Sequence, residues 1–576
     1  MSKKKNNKRK KANSKKKIST NNKMNLIIEK KEKSKSFMPY YFLLAGIIVL
    51  IFGGIYGFSI LNPTYTNWIF TKSGDIVQHY VGWESFRAGE WTFPIGLTNA
   101  TSYPMNISVI YTDSIPIVAL FFKLISFMLP KTFQYLGLYG LLCFILQGIL
   151  SARIIKKFTD SKLNIIIGSI LFTIVPSMIF RMFYHTALAS QWLLLLSLET
   201  IFLYNDFKEG KKIYFIWALI AFLISTIHLY YLLMCGIILL GYILLDILNT
   251  KKVKKSIILL VIYLVVALIT IWIFGGFTNI VENDDFGFGL GLFSYNLNGL
   301  LNSQGWSVFL KELPMIQEQY EGFSYLGLGV IILIIISIIL TIIWFRKDKE
   351  DLKQYKNLVI SLVFISVISI LVALSPKVYI GEHLLFELKL PSFITSIWEI
   401  FRSTGRFVWP VIYILTLLSV IIILKRLNWK YSLLILSVCT VIQIIDIGVV
   451  LTDINIFYTQ KYVIKDESNL YENDSLKLVA NNEKIKLLIL VSEDLNSIDK
   501  FMYSDWALNN NMKTNNFHFA RTTFDSILLA NTLEYLEEKN ETEVFVFTSK
   551  KECLNYELNC YKLPNDYYLG YINELE

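Results

Sequence analysis

The sequence predicts an all-α polytopic membrane protein followed by a small C-terminal α/β domain outside the membrane. Three observations carry this. The chain has 576 residues, 54% hydrophobic and 15% aromatic, and its mean hydropathy is +0.48. Charged residues are 18% of the chain, where soluble domains have about a quarter. Apolar runs of about 20 residues recur, the length a helix needs to cross hydrocarbon; "PYYFLLAGIIVLIFGGIYGFSI" and "GVIILIIISIILTIIWF" are two of them. From Asp453 onward no run is long enough to cross, and "KIKLLILV" and "TEVFVFT" read as buried strands flanking an amphipathic helix, "SILLANTLEYLEEK".

At the N-terminus, "MSKKKNNKRKKANSKKK" is a basic tract that cannot form a core and holds much of the net charge of +11. It reads as a disordered cytoplasmic tail, residues 1–37, that fixes the N-terminus inside and touches anionic lipid, rather than as a nucleic-acid arm. No clear cleavage site comes after the first apolar run, so that run reads as a retained helix. Basic clusters at 153–157, 208–212, 251–255, 346–356 and 425–430 should also lie inside, so an even number of crossings separates each neighbouring pair.

Parity then gives about eleven spans over residues 38–452. The run Ile115 to Leu129, about 15 residues with a Lys within it, is short for a span. It reads as an amphipathic helix lying flat in the first outer loop, residues 61–131. The run Ile213 to Leu248 is about 54 Å as one helix, so it must be two, turning near "TIHLYY". With this assignment "GDIVQH", "YTDSIP", "RMFYH", "TIHLYY", "VENDDFGFG" and "FRSTGRFVWP" all emerge on the outer face.

Several of these loop residues could carry chemistry. In "SGDIVQHYVGWESFR", Asp75 and His79 are four apart and share a helical face; a carboxylate beside an imidazole suits a general base. Glu84 lies further along the same segment. Asp113 precedes Pro116 and reads as the N-cap of the flat helix, a role compatible with active-site membership. Arg181, His185 and His228 lie at outer ends of apolar runs, where ionisable groups often line functional cavities, although an Arg there can also snorkel to the surface. Arg402 and Arg406 stand outside against the positive-inside tendency, and a phosphate or pyrophosphate would compensate them, as Glu399 could for one. The Gly-rich turn with Glu282, Asp284 and Asp285 lacks calcium-loop spacing and reads as an exposed acidic turn. Of five cysteines, Cys143, Cys235 and Cys439 fall in apolar runs. Cys553 and Cys560 can pair if the tail is outside. No zinc-ligand spacing is present and no metal ligand is assigned, though a divalent cation is compatible.

The blocks "GDIVQHYVGWESFRAGEWTFPIG", "YTDSIPIVALFFKL", "RMFYHTALASQWLLL", "YEGFSYLGLGVI", "FRSTGRFVWPVIY" and "YSDWALNNNMKTNNFHFAR" resemble a bacterial domain-of-unknown-function family. That family is regarded as related to the C-type-fold membrane glycosyltransferases. The resemblance implies a polyprenyl-phosphate sugar donor, catalysis on the outer face, and an acidic residue of the first outer loop as base, a place Asp75 occupies. A clear Asp-Glu pair of the mannosyltransferase kind is missing, and Asp113 is the candidate for a second acidic residue.

The expected function is a glycosyltransferase of the plasma membrane. Its acceptor would be an extracytoplasmic glycan, polymer or lipid, and it needs no nucleic acid partner. Asp75, His79 and Asp113 would be catalytic; Arg402, Arg406 and Arg181 would face the donor phosphate; His185, His228 and Glu84 would line the cavity. Trp83, Trp91 and Phe93 stack on sugars or anchor at the interface. Residues 453–576 form the outer α/β domain, which recognises an acceptor, caps the cleft or serves as a structural lid. The alternative is a transporter or flippase of a lipid-linked glycan; no internal repeat supports it.

Overall fold

A computed structural model describes residues 38–278, 289–347, 353–462, 470–491, 495–515 and 532–575. The basic tract and the acidic turn at Glu282, Asp284 and Asp285 lie outside them. The chain divides into two units, Met1–Ile47 and Ile48–Glu576. Only the opening turns of helix Met38–Tyr56 represent the first, and every other described element belongs to the second.

The protein is mostly helical. Among the described residues, seven helices are long and apolar enough to cross a membrane: Leu136–Ile155, Tyr230–Thr250, Lys254–Ile273, Leu328–Lys347, Lys356–Leu374, Thr404–Arg426 and Trp429–Asp446. The other expected crossings fall on shorter apolar helices, Tyr40–Tyr56, Lys162–Thr173, Thr186–Phe202 and Lys212–Ile227. The expected span Leu163 to Phe180 is broken: one helix stops at Thr173 and another runs Pro176–Arg181. Pro176 has no N–H to give and its ring meets the carbonyl four residues back. The long run after Ile213 breaks at His228, whose backbone is extended, between helices Lys212–Ile227 and Tyr230–Thr250.

Thr404–Arg426 is the most thoroughly buried of the seven, and Leu328–Lys347 packs on it with the most apolar surface left outward. On Lys356–Leu374 the exposed residues Val359, Val363, Val367 and Leu371 recur every four positions, a stripe suited to lipid. Between this helix and the next lies an antiparallel hairpin, Lys377–Ile380 with His383–Glu387, then helix Ser392–Glu399.

Residues 61–131 form a folded layer rather than a slack loop. Its centre is the helix Asp75–Ala88, buried from Ile76 to Phe86. Pro116–Leu124 is helical as expected and amphipathic: Ala119 is buried, while Phe121 and Leu124 are exposed. The Lys in this run is also buried, because Lys123 Nζ donates to the Gly89 carbonyl at 2.9 Å and lies over the Phe86 and Trp91 rings. The N-cap of this helix is Ile115, so Asp113 is not its cap. Asp113 instead ends the 3-10 turn Val109–Thr112 in a left-handed conformation.

Helix Gly448–Thr459 carries the chain past the expected boundary at 453. Beyond it five strands form one sheet in the spatial order Lys513–Thr514, Leu487–Leu490, Glu543–Phe547, Tyr568–Tyr571, Asn559–Lys562. The three strands on the first edge are parallel and the rest antiparallel. Leu487–Leu490 has a core on each face: Leu488 and Leu490 join Trp506 and Val544, whereas Leu487 and Ile489 join Phe545 and Phe547. This is why its sequence is apolar without alternation. Part of the expected helix between the strands, 532–538, is helical, and the rest lies outside the described residues. Cys553 and Cys560 form a disulfide.

The tail is joined to the first-loop layer. Thr514 N–H donates to the Ala100 carbonyl at 2.8 Å and Tyr103 N–H donates to the Thr514 carbonyl at 3.0 Å. The sheet thus continues into residues 100–103. Helix Ser497–Asn509 packs across helix Asp75–Ala88.

Candidate functional site

Five polar side chains from distant segments meet above the apolar helices. Asp75 and His79 stand one turn apart on helix Asp75–Ala88. Asp113 comes from the left-handed turn after Thr112, His185 from the connection after Arg181, and His228 from the break in the long run. Gly82 lets the first two groups meet: a Cβ there would lie 2.5 Å from the Thr112 Cβ. The turn carrying Asp113 therefore rests directly on the helix backbone, held also by Ser114 Oγ donating to the His79 carbonyl at 2.7 Å.

His185 Nε2 lies 3.0 Å from Asp75 Oδ2, and His228 Nε2 lies 3.5 Å from Asp113 Oδ1. His228 Nδ1 accepts the Tyr230 N–H at 3.2 Å, so the neutral ring carries its proton on Nε2, facing Asp113. His79 differs. Its ring is 1% exposed, 6.2 Å from the His185 ring, and neither nitrogen has a hydrogen-bond partner.

The electrostatics follow from enclosure. Burial pushes the Asp113 carboxyl up to about 7, with Asp75 adding to the rise and Arg406 opposing it. Burial lowers His79 to about 3. His185 and His228 are lowered by burial first and by Arg406 second. The three imidazoles are therefore neutral at pH 7, with lone pairs to offer.

Beside this cluster lies a buried ion triad. Glu321 Oε2 accepts from Arg181 at 2.7 Å and from Arg406 at 2.5 Å. Burial alone would raise Glu321, but the two guanidiniums overrule it and hold the carboxyl down to about 2. Two cations face one carboxylate, so the triad carries an excess positive charge. Arg406 also lies over the Tyr230 ring, 4.8 Å from its centre. The 3-10 turns Gln317–Gly322 and Thr404–Val408 bring Glu321 and Arg406 together, and Arg181 joins them from the end of helix Pro176–Arg181. The two turns touch through glycines: a Cβ on Gly405 would come within 2.7 Å of the Gly322 Cα.

The structure thus gathers Asp75, His79, Asp113, His185 and His228 close to Arg406 and Arg181. Two other expected members have different surroundings. Arg402 is exposed and lies over the Phe293 ring at 5.0 Å, whereas Arg406 is buried against Glu321. Glu84 is on the opposite face of its helix from Asp75, accepts the Tyr80 hydroxyl at 2.6 Å, and faces the tail. Trp83 is buried among Phe122, Phe133 and Tyr135, a core residue, whereas Trp91 and Phe93 are exposed. Sequence reasoning did not single out Glu321. Its only sequence signal was its place in "YEGFSYLGLGVI".

The ligand atoms of His79, Asp113 and His185 lie within 4.8 Å of one another. Two imidazoles and a carboxylate suit a borderline divalent ion such as zinc better than calcium or magnesium. The unpartnered His79 ring fits such an ion, which would satisfy a nitrogen that the protein leaves bare. No spacing pattern announced this set because its members come from three separate segments.

These features define a mostly helical protein, several of whose helices are long and apolar enough to cross a membrane, with a histidine–carboxylate cluster and a buried arginine pair at the helix ends. The chain belongs to a protein family: residues 44–448 match the model described as Domain of unknown function (DUF6311). No curated protein matches it. Eight chains of solved structures match. Among them is the crystal structure of the Archaeoglobus fulgidus oligosaccharyltransferase in the apo form, 11% identical, with a TM-score of 0.44, covering 91% of this chain and 71% of that one.

Proposed function

We propose that this chain is an integral-membrane glycosyltransferase of the C-type fold, with about eleven spans, acting on the outer face of a cell membrane. It would move a sugar from a polyprenyl-phosphate donor to a hydroxyl of an extracytoplasmic glycan, polymer or lipid. The observation that carries this reading is the meeting of Asp75 and Asp113 with three neutral histidines beside an arginine pair of net positive charge. The motif resemblance supplies the substrate class.

In this reading Asp75, half-exposed and oriented by His185, takes the proton from the acceptor hydroxyl. The acceptor oxygen bonds to the anomeric carbon as the carbon–oxygen bond to the lipid phosphate breaks, inverting that centre. The phosphate leaves with the bonding electrons, and Arg406 and Arg181 oppose its growing charge. Arg402 has no part in this step. A divalent ion on His79, Asp113 and His185 would supply Lewis-acid neutralisation of a phosphate oxygen.

Sidedness has its own support. The disulfide Cys553–Cys560 fits an oxidising compartment, and the tail that holds it is hydrogen-bonded to the layer containing Asp75. In this reading the basic clusters face the cytoplasm, as the positive-inside tendency requires.

The test is transfer by purified, reconstituted protein from labelled polyprenyl-phosphate sugars to a cell-envelope acceptor. Asp75→Asn should lose transfer while unfolding at the wild-type temperature. Full activity in that variant removes Asp75 from the mechanism, and sugar movement without bond formation favours the transporter instead.

A further inference from the structure

The tail helix Ser497–Asn509 lies across helix Asp75–Ala88 on the face opposite the site. At their crossing two carboxyl groups confront each other, Glu84 from the first-loop helix and Asp505 from the tail helix, within hydrogen-bond reach. Glu84 is 7% exposed. Its Oε1 accepts the Tyr80 hydroxyl, and its Oε2 has no donor in the surrounding protein. Asp505 accepts from Tyr471 at 2.9 Å and from the Asn509 amide at 3.1 Å.

Two ionised carboxylates in such a place would repel each other with nothing between them. The charged and titratable neighbours are few. On the helix of Glu84 there are Tyr80 and Arg87; from the connection after Met128 there is Lys131; from the turn Leu470–Glu472 there is Tyr471. Arg87 is engaged elsewhere: its Nε donates to Ser126 Oγ at 2.8 Å and its other nitrogens to the carbonyls of Leu129, Pro130 and Lys131. Lys131 lines a cavity of about 220 Å³ beside Glu84 and Asn509. With two cations already at its rim, the pair has little call for a metal ion. A proton between the carboxyls satisfies Glu84 Oε2 directly.

We infer that the tail positions the site helix through one proton shared by Glu84 and Asp505, so that tail and helix part together as the outer medium turns alkaline. The electrostatics agree: both carboxyls are raised, in each case first by burial, and Glu84 next by the facing Asp505. A carboxyl raised in the docked state favours docking fully below the ordinary carboxylate range. That contribution is lost as pH rises through the raised value, up to about tenfold per pH unit for one proton. Glu84 and Asp505 are thus positioning residues acting on Asp75 and His79 through the helix. The inference is independent of the reaction proposed above.

The test is amide hydrogen exchange on the full chain in detergent, corrected for intrinsic rates, at pH 6 and pH 9. Exchange in both Ser497–Asn509 and Asp75–Ala88 should be about tenfold or more faster at the higher pH. Asp505→Asn and Glu84→Gln, which keep a hydrogen-bonding amide and lose the titration, should each stay protected and show no such rise. Wild-type exchange that ignores pH overturns the inference, as does a rise that survives in both variants. A rise in the tail helix alone, with the site helix unmoved, also overturns it.

Discussion

Glu321→Gln isolates the triad. The carboxylate stands between two guanidiniums whose side chains are 2% and 7% exposed, so removing its charge leaves two buried cations facing each other. Breaking a buried pair from one side costs about 3–5 kcal/mol. The titration gives a similar size: with about 1.4 kcal/mol per pH unit, holding the carboxyl from 4.5 down to about 2 contributes roughly 3 kcal/mol. That contribution is complete above the ordinary carboxylate range and disappears as pH falls from about 4.5 towards 2. The unfolding assay is built into the chain, because Cys143, Cys235 and Cys439 are free and buried while Cys553 and Cys560 are bonded. A thiol-reactive dye therefore reports loss of the helical core. The variant should unfold well below the wild type at pH 7, and the gap should shrink towards pH 3. Pyrophosphate, replacing the missing negative charge, should restore about 2.7 kcal/mol at a hundred times its Kd. Equal unfolding temperatures for the two proteins at pH 7 would refute the reasoning, as would a variant indifferent to pyrophosphate.

Three further outcomes are expected. Gly405→Ala forces a methyl against the Gly322 Cα and the Ser294 carbonyl; overpacking of this kind costs about 1–3 kcal/mol, read by the same dye, and the arginine pair should lose pyrophosphate binding with it. Asp446→Ala strands the Ser307 and Tyr325 hydroxyls and the Leu328 N–H, all of which donate to that carboxylate; a destabilisation of about 2–3 kcal/mol is expected, and wild-type stability would show that these donors find water. Zinc added to chelator-treated protein should raise its unfolding temperature, and His79→Ala should remove that rise; an equal rise in the variant would place the ion elsewhere.

How much of this could be read from residues alone depended on distance along the chain. Asp75 and His79 were legible as a pair because helical periodicity is local, and so was the break at His228, because no single span is that long. The convergence of Asp113, His185 and His228 followed from charge parity, which puts their loops on one side without saying which atoms meet. Arg402 was grouped with Arg406 because both stood against the positive-inside tendency, a rule that places charges on a side of the membrane and says nothing of which one is buried. Asp113 was read as a cap because Asp before Ser-Ile-Pro usually is one, yet the intervening left-handed Ile115 takes that place. The partners of Glu84 and Glu321 were illegible for a shared reason. Each glutamate has a partner brought by a remote segment, Asp505 in one case and two arginines in the other, and nothing near either glutamate in sequence encodes it.

The short strand Lys513–Thr514 has the sheet on one side and the backbone of Ala100 and Tyr103 on the other. An expression fragment beginning after the last apolar helix would lose the second neighbour and present a raw ladder of amides and carbonyls to solvent. Such a fragment should stick to itself, since an unpaired edge recruits whatever strand it meets. Crystallisation or binding trials on the excised portion would then report on aggregates, unless residues around Ala100–Tyr103 were grafted back as a peptide.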